Sequence, residues 1–151
     1  MSKNKIIEKY KPVKHNLLPI LHELQDSNPQ NYITEDDVIM VSKHLNISFA
    51  EVYGLIGYYS MLSNKPRGKY IIRICNSPVC NMIGSENIAE LLCSELNIGI
   101  GETTTDKLFT LEYSECLGHC DIAPVMIINK EIFGNLNKQK IEEIIENLRN
   151  K

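Results

Sequence analysis

The sequence predicts an α+β protein in which an N-terminal helical bundle is followed by an α/β sandwich domain. In the first third, apolar residues follow helical spacing, and beyond it β-branched strands alternate with amphipathic helices in the order β-α-β-β-β-α. Between the two patterns, residues 64–68 contain Pro, Gly and charged residues, which interrupt regular structure. We therefore place a domain boundary there and predict domains at residues 1–64 and 65–151.

Three helices are predicted in the first domain. The first helix tolerates Pro19, because a proline in the first turn loses no intrahelical hydrogen bond. Thr34 is the predicted N-cap of the second helix, with Asp37 three residues later, and Ser48 with Glu51 forms a capping box for the third. The apolar residues with helical spacing are Leu17, Leu18, Ile20, Leu21 and Leu24; Val38, Val41 and Leu45; and Val52, Leu55, Ile56 and Tyr59.

The second domain is predicted from alternating strand and helix signals. A strand at residues 70–74 delivers Cys75, and a second strand at residues 109–115 ends at Cys116. The remaining predicted elements are a helix at 85–96, a hairpin of strands at 125–128 and 131–133, and a helix at 138–150. The helix residues predicted to face inward are Ile88, Leu91 and Leu92 in the first and Ile141, Ile144, Ile145 and Leu148 in the second.

Composition and charge exclude several classes of function. A net charge of −3 and a pI near 5.8 provide no basic field for nucleic acid. No stretch approaches the roughly 20 apolar residues of a membrane span, and no signal peptide is visible, so we expect a soluble, cytoplasmic protein. In a reducing compartment, the five cysteines are expected to be metal ligands or buried residues rather than disulfides.

Four of these cysteines form two close pairs, Cys75 with Cys80 and Cys116 with Cys120. Each pair lies where a predicted strand ends, so the four thiols can converge at one sheet edge if the two strands are neighbours. Structural zinc sites usually use two-residue spacers, whereas the spacers here have four and three residues. A [2Fe–2S] cluster needs two thiolates for each of two irons, and the spacing favours it, with zinc left as the alternative.

Residues near the pairs have weaker assignments. Gly118 can adopt positive φ and let backbone approach a cluster, and His119 and Asp121 are candidates for its surroundings rather than ligands. Cys93 lies in a helix and is expected to be a small buried residue. The third helix carries a cluster of three tyrosines, Tyr53, Tyr58 and Tyr59. We expect them to fill a core or cover a domain junction, and the alternative is that they dock a partner.

Several segments together resemble the 24-kDa subunit family of NADH dehydrogenase (complex I). The segments are Leu-Pro-Ile-Leu from residue 18, Glu-Val-Tyr-Gly from 51, Tyr-Ser-Met from 59, Lys-Pro-Arg-Gly-Lys-Tyr from 65, Phe-Thr-Leu-Glu from 109 and Cys-Asp-Ile-Ala-Pro-Val from 120, with the four cysteines. The similarity runs from about Leu17 to Leu148. The family includes small subunits of NAD-dependent, often electron-bifurcating, hydrogenases and formate dehydrogenases.

The resemblance implies a helical bundle joined to a thioredoxin-like domain that binds one [2Fe–2S] cluster. By resemblance, the ligands are Cys75, Cys80, Cys116 and Cys120. The chain departs from the family pattern in its first ligand loop and at His119 and Asp121, where the family has Ala and Gly; these changes affect the expected cluster potential rather than ligation.

The resemblance also implies a role and partners. The chain would be an electron-transfer subunit, without independent catalysis, of an NAD(P)H-dependent multisubunit oxidoreductase. FMN and NAD(P) would be bound by a larger partner subunit, since no Gly-rich fingerprint follows a strand here. A further catalytic subunit, such as a hydrogenase or formate dehydrogenase, is also implied, and the helical bundle is expected to dock on the flavin-binding partner. The alternatives are a freestanding thioredoxin-like ferredoxin and a zinc-bound interaction module.

Overall fold

The computed structural model describes residues 3–151. The chain divides into two compact units, the first ending at Arg67 and the second spanning Gly68–Lys151. The predicted α+β class is confirmed, because the elements of residues 3–67 are helices and a four-stranded sheet with helices forms the second unit. Within residues 3–151, no helix has both the length and the apolar composition that a bilayer crossing requires.

In the described part of the first unit, from residue 3 onward, there are four α-helices and a 3₁₀ turn at Lys14–Asn16. The helices are α1 (Lys3–Glu8), α2 (Leu17–Ser27), α3 (Glu35–Leu45) and α4 (Phe49–Tyr58). The helix α1 was not predicted; it has six residues and contributes only Ile6 and Ile7 to the core. The core combines aliphatic side chains from all four helices: Ile6, Ile7, Leu17, Ile20, Leu21, Leu24, Ile33, Val38, Val41, Leu45, Val52, Ile56 and Leu62.

The two predicted helix caps have different outcomes. The N–H of Asp37 donates to Thr34 Oγ1 at 3.2 Å, and the N–H of Thr34 donates to Asp37 Oδ2 at 2.9 Å, so the capping box is complete. At Ser48, the hydroxyl accepts from the Glu51 N–H at 3.2 Å. The Glu51 carboxylate forms an ion pair with Lys14 instead of completing a box, so the predicted capping box is only half formed.

The tyrosines of the third predicted helix do not fill a core. The exposed fractions of Tyr53, Tyr58 and Tyr59 are 46%, 81% and 39%. The interpretation as core residues is therefore wrong. The stripe that α4 buries consists of Val52 and Ile56, and the tyrosines lie on the remaining faces or just beyond the helix end.

The second unit contains a mixed sheet with strand order β2-β1-β3-β4. Its elements are β1 (Tyr70–Cys75), α5 (Pro78–Met82), α6 (Ser85–Leu96), β2 (Phe109–Ser114), β3 (Met126–Ile128), β4 (Glu131–Phe133) and α7 (Lys138–Arg149). β1 and β2 are parallel, whereas β1 with β3 and β3 with β4 are antiparallel. The short helix α5 was not predicted; it lies between Cys75 and α6, where we expected a loop.

The core of this unit lies between the sheet and the helices α6 and α7. The central strand β1 contributes the fully buried Ile72 and Ile74, because it has neighbours on both sides. The predicted inward residues of the helices divide into two groups. Ile88, Leu92, Ile141 and Ile145 are buried, while Leu91, Ile144 and Leu148 are partly buried against the same core.

Candidate metal centre

The topology brings both cysteine pairs to one edge of the sheet. Cys75 is the last residue of β1 and stands opposite Ser114, the last residue of β2, in the parallel register. Cys116 follows β2 by two residues. Parallel strands end at the same edge, so the segments that carry the two pairs leave the sheet side by side. The two strands are neighbours, as convergence of the four thiols requires.

The two pairs differ in their exposure to solvent. Cys75 and Cys80 are each 1% exposed and form a small buried cluster with Val125. Cys116 and Cys120 are exposed. Leu117 packs against the buried cluster from the loop between the second pair, which places that loop over the first pair. One side of the centre is therefore buried among apolar residues, and the other side is accessible to solvent.

Backbone hydrogen bonds fix the first ligand segment. The N–H of Cys75 donates to the carbonyl oxygen of Val125 at 3.1 Å, and the N–H of Asn76 donates to that of Ser114 at 2.9 Å. The buried hydroxyl of Ser85, at the start of α6, donates to the carbonyl oxygen of Cys75 at 2.6 Å. These bonds hold the end of β1 rigidly between its two neighbouring strands, and such support of ligand positions is typical of metal sites.

The second ligand loop depends on a glycine conformation. Gly118 has φ of +77°, a region that residues with a Cβ rarely adopt, and its N–H points to Cys116 Sγ at 3.4 Å. The expectation of positive φ at Gly118 is confirmed. Beyond the loop, Cys120 begins a 3₁₀ turn, Cys120–Ile122, which leads to the cis peptide between Ala123 and Pro124.

The environment of the first pair shifts the pKa values of its two thiols in opposite directions. Burial disfavours the Cys75 thiolate, but hydrogen bonds from the Ser77 hydroxyl and from the backbone of Leu117 and Ser77 outweigh burial and lower the pKa of Cys75. Burial, followed by the neighbouring Cys75, raises the pKa of Cys80. Cys75 and Cys80 interact directly, so one proton is most easily lost from Cys75.

The pKa of Cys120, in the second pair, depends on groups from both pairs. Cys120 is exposed, but nearby protein atoms partly desolvate its thiol and raise its pKa, and Cys116, Cys75 and Asp121 raise it further by charge repulsion. The effect of Cys75 on Cys120 means that thiolate charge in one pair is felt in the other. The side chains of Cys116 and Cys120 also interact directly.

The candidate donor set consists of four thiols in two pairs. Among residues 3–151, no three His, Cys, Asp or Glu side chains gather around one point as a mononuclear site would need. The thiols instead form two interacting pairs, and a [2Fe–2S] cluster takes two thiolates on each iron. Two pairs of thiols therefore fit the ligand requirement of a [2Fe–2S] cluster.

The other residues singled out from the sequence differ in burial and in their distance along the chain from the cysteine pairs. His119 is half-buried and Asp121 is exposed, both next to Cys120. Cys93 is only half-buried in α6 and packs against the main core rather than the cysteine cluster, and burial raises its pKa. Ser77 and Ser85 were not predicted from the sequence. A hydroxyl two residues after a candidate ligand was the available signal for Ser77, whereas the contact of Ser85 depends on how α6 returns to β1.

Comparisons with known proteins agree with this geometry. A family model described as thioredoxin-like [2Fe-2S] ferredoxin matches residues 3–149. The E subunit of NADH-quinone oxidoreductase from Rickettsia prowazekii is 36% identical over 143 residues, which cover 93% of this chain and 80% of the relative. The protein of the same name from Mycobacterium bovis is 33% identical over 144 residues, covering 95% of this chain. The chain spans 56% of the length of that relative.

Two further comparisons extend to hydrogenases. The HndA subunit of the NADP-reducing hydrogenase from Solidesulfovibrio fructosivorans is 27% identical over 139 residues, covering 92% of this chain and 80% of the relative. The crystal structure of NAD+-reducing [NiFe]-hydrogenase in the H2-reduced state superimposes with a TM-score of 0.80 at 21% identity, over 90% of this chain and 23% of that chain. At this identity the superposition shows a shared fold.

Proposed function

Because the chain belongs to the thioredoxin-like [2Fe-2S] ferredoxin family, we propose that it binds one [2Fe–2S] cluster and transfers single electrons as a subunit of an NAD(P)H-dependent oxidoreductase. The proposed ligands are Cys75, Cys80, Cys116 and Cys120. The observation that carries the proposal is the convergence of two thiol pairs at the common edge of β1 and β2.

The residues of the chain have distinct tasks in this centre. A bound cluster supplies a one-electron couple of low potential. The buried segment of Cys75, Cys80 and Val125 excludes water from one side. The backbone of Leu117 and Gly118 directs hydrogen bonds at cysteine sulfurs, which offsets negative charge there. The exposed second pair leaves the opposite side open for electron exchange with a partner.

We place the flavin and the nicotinamide on a larger partner subunit. Hydride chemistry moves two electrons, so a flavin must divide them before a one-electron carrier can accept them. One relative is named as a subunit of an NADH-quinone oxidoreductase and another as a subunit of an NADP-reducing hydrogenase. The two names share nicotinamide chemistry but differ in the second reaction. A further catalytic subunit would therefore determine the final reaction. None of the five cysteines is in a disulfide, which is consistent with a cytoplasmic location.

We assign partner docking to the helical unit, residues 1–64. Apolar side chains near α4 are exposed, including Tyr58 at 81% and Met61 at 56%. Phe49 and Tyr53 stack with ring centroids 5.7 Å apart beside a cleft of about 310 Å³. Clustered exposed aromatic residues are typical of protein interfaces, where they supply large contact area.

Substitution of single cysteines tests the ligand set. Alanine at Cys75, Cys80, Cys116 or Cys120 should abolish or strongly reduce the visible absorption of the anaerobically purified protein, since one iron loses a thiolate and alanine offers no replacement ligand. Cys93→Ala is the matched control and should retain the spectrum, because Cys93 packs against the main core. An unchanged spectrum in any of the four ligand variants would reject the assignment of that residue.

Co-purification from the native host tests the docking assignment. Tyr58→Ala combined with Met61→Ala should reduce recovery of the flavin-binding subunit with the tagged full chain. Ile132→Ala is the control, because Ile132 is an exposed apolar residue, 44% exposed, in the second unit. Equal recovery with both variants, and unchanged recovery after deletion of residues 1–64, would refute docking through the helical unit.

A further inference from the structure

Ser77 occupies a helix-capping position without capping the helix. It is the N-cap residue of α5, with extended backbone at φ of −80° and ψ of 156°. An N-cap serine usually accepts a hydrogen bond from a backbone N–H in the first turn, but the Ser77 side chain makes no such bond. Its Oγ lies instead 3.4 Å from Cys75 Sγ. The hydroxyl is therefore directed at a proposed ligand rather than at the helix.

The thiol that the Ser77 hydroxyl approaches is shielded from solvent. Cys75 and its neighbour Cys80 are each 1% exposed, so water cannot take the place of a protein donor there. A hydrogen bond to a charged group in a dry site is stronger than one in water.

Ser85 makes a useful contrast, because it is also close to Cys75. Its hydroxyl donates to the Cys75 carbonyl oxygen at 2.6 Å and so positions the end of β1. It does not donate to sulfur. Ser77 thus differs from Ser85 in reaching the atom on which charge changes during electron transfer.

We propose that Ser77 raises the reduction potential of the centre by donating a hydrogen bond to the thiolate sulfur of Cys75. This inference rests on the proposed function. Reduction adds one electron from the flavin of the partner subunit, with no covalent bond formed or broken, and increases negative charge on the cysteine sulfurs. A donor at sulfur stabilises the reduced state more than the oxidised state, which raises the potential.

Potentiometric titration of the cluster-loaded full chain, followed by EPR, tests the role of the hydroxyl. Ser77→Ala should lower the midpoint potential, with a change in the one-electron equilibrium of up to about tenfold, which corresponds to about 59 mV. Ser77→Thr and Ser77→Val form a matched pair of similar shape, in which only threonine keeps the hydroxyl. Threonine should retain a potential close to that of the wild type, and valine should behave like alanine.

Two further measurements separate this role from a structural one. Ser94→Ala, at an exposed serine of α6, should leave the potential unchanged. Resonance Raman spectroscopy measures the iron–sulfur stretching bands. Exchange into D₂O replaces the hydroxyl proton of Ser77, so it should shift these bands more in the wild type than in Ser77→Ala. Equal potentials for the wild type and the alanine and valine variants would overturn the inference while leaving the cluster assignment intact. Absence of iron and sulfide from the wild type would overturn the proposed function as well.

Discussion

At the level of single residues, the candidate metal centre is asymmetric. Cys75 and Cys80 are buried beneath the second ligand loop, whereas Cys116 and Cys120 face solvent. Burial makes a thiolate costly, and hydrogen bonds from Ser77 and Leu117 offset this cost at Cys75. The two halves of the centre should therefore differ in their access to reagents.

Thiol labelling of cluster-free protein should reveal this difference. We expect iodoacetamide to modify Cys116 and Cys120 first and Cys75 and Cys80 last, because a reagent must reach the sulfur before thiolate character matters. Peptide mass spectrometry over a time course measures the order. Half-buried Cys93, whose pKa is raised by burial, serves as an internal reference of slow reaction. Labelling of Cys75 ahead of Cys116 would contradict the described burial.

Asp37 is the residue on which the start of α3 depends most. Its carboxylate is fully buried, completes the capping box with Thr34 and lies 2.9 Å from Lys3 Nζ. Asp37→Ala should destabilise the first unit by about 1–2 kcal/mol, since a cap and a partly buried ion pair are lost together. Urea unfolding followed by far-UV circular dichroism measures the effect, and we expect a lower midpoint concentration for the variant.

Asp36→Ala is the matched control for that change. Asp36 lies in the same helical turn but is exposed, so its substitution should shift stability by less than about 0.5 kcal/mol. If the two variants unfolded at the same urea concentration, the capping box would not be a main contributor to the stability of α3.

At the level of elements, the parallel pair of β1 and β2 organises the centre. The two strands end together, and Arg73 and Glu112 form an ion pair of 3.0 Å across the register. At the start of the pair, the backbone near Gly68 approaches β2 closely, and the Gly68 N–H donates to Thr110 Oγ1 at 2.6 Å. A Cβ at position 68 would lie 2.7 Å from the carbonyl carbon of Phe109.

Gly68→Ala should therefore destabilise the second unit by roughly 1–3 kcal/mol, because backbone atoms of β2 must move to admit the methyl group. The thermal midpoint of the full chain measures the effect. Gly57→Ala should instead stabilise the chain by about 0.5–1 kcal/mol, since Gly57 lies in α4 and an added methyl group would have no atom within 4 Å. Equal midpoints for the two variants would argue against the close approach.

Glu23 on α2 connects that helix to the segment after α1. Its carboxylate forms an ion pair with Lys9 and accepts a hydrogen bond from Tyr10 Oη at 2.9 Å. Hydrogen bonding from Lys9, and then from Tyr10, lowers the pKa of Glu23 below its ordinary value of 4.5. A lowered pKa stabilises the folded state above the ordinary value, and this stabilisation is lost as the pH falls through the folded pKa.

The expected result is a pH-dependent difference between the wild type and Glu23→Gln. The wild type should have the higher thermal midpoint at neutral pH, and the difference should shrink as the pH falls below 4.5. The difference should be small, because the groups are accessible to solvent. A difference of midpoints that stays constant from neutral to acidic pH would show that the carboxylate charge does not contribute.

At the level of the whole molecule, the two units suit two tasks. The second unit carries the four proposed ligand cysteines on its sheet edge and on α5. The first unit carries the exposed aromatic residues and the cleft beside Phe49 and Tyr53. The proposed function assigns electron transfer to the second and partner docking to the first.

Local signals in the sequence predicted much of this architecture. The Thr34 cap and the periodic apolar residues of α6 and α7 predicted those helices to within about a residue, because short-range hydrogen bonds and amphipathic spacing determine them. The cysteine spacing likewise indicated which residues lie at the sheet edge, once β1 and β2 were taken as neighbours.

Features that depend on tertiary packing were not predicted. α1 and α5 are one or two turns long, too short for a periodic signal, and are stabilised by burial of residues such as Ile6 and Cys80. The aromatic residues of α4 satisfied helical spacing, yet the core accommodated only Val52 and Ile56 from that helix. The contacts of Ser77 and Ser85 required knowledge of how α5 and α6 return to the end of β1.

Metal and sulfide analysis of the anaerobically purified full chain is the most direct test of the central claim. Two iron atoms and two acid-labile sulfides should be found for each chain, with a brown colour and an EPR signal that appears on reduction. One zinc ion in place of iron, with a colourless and redox-silent protein, would contradict the account.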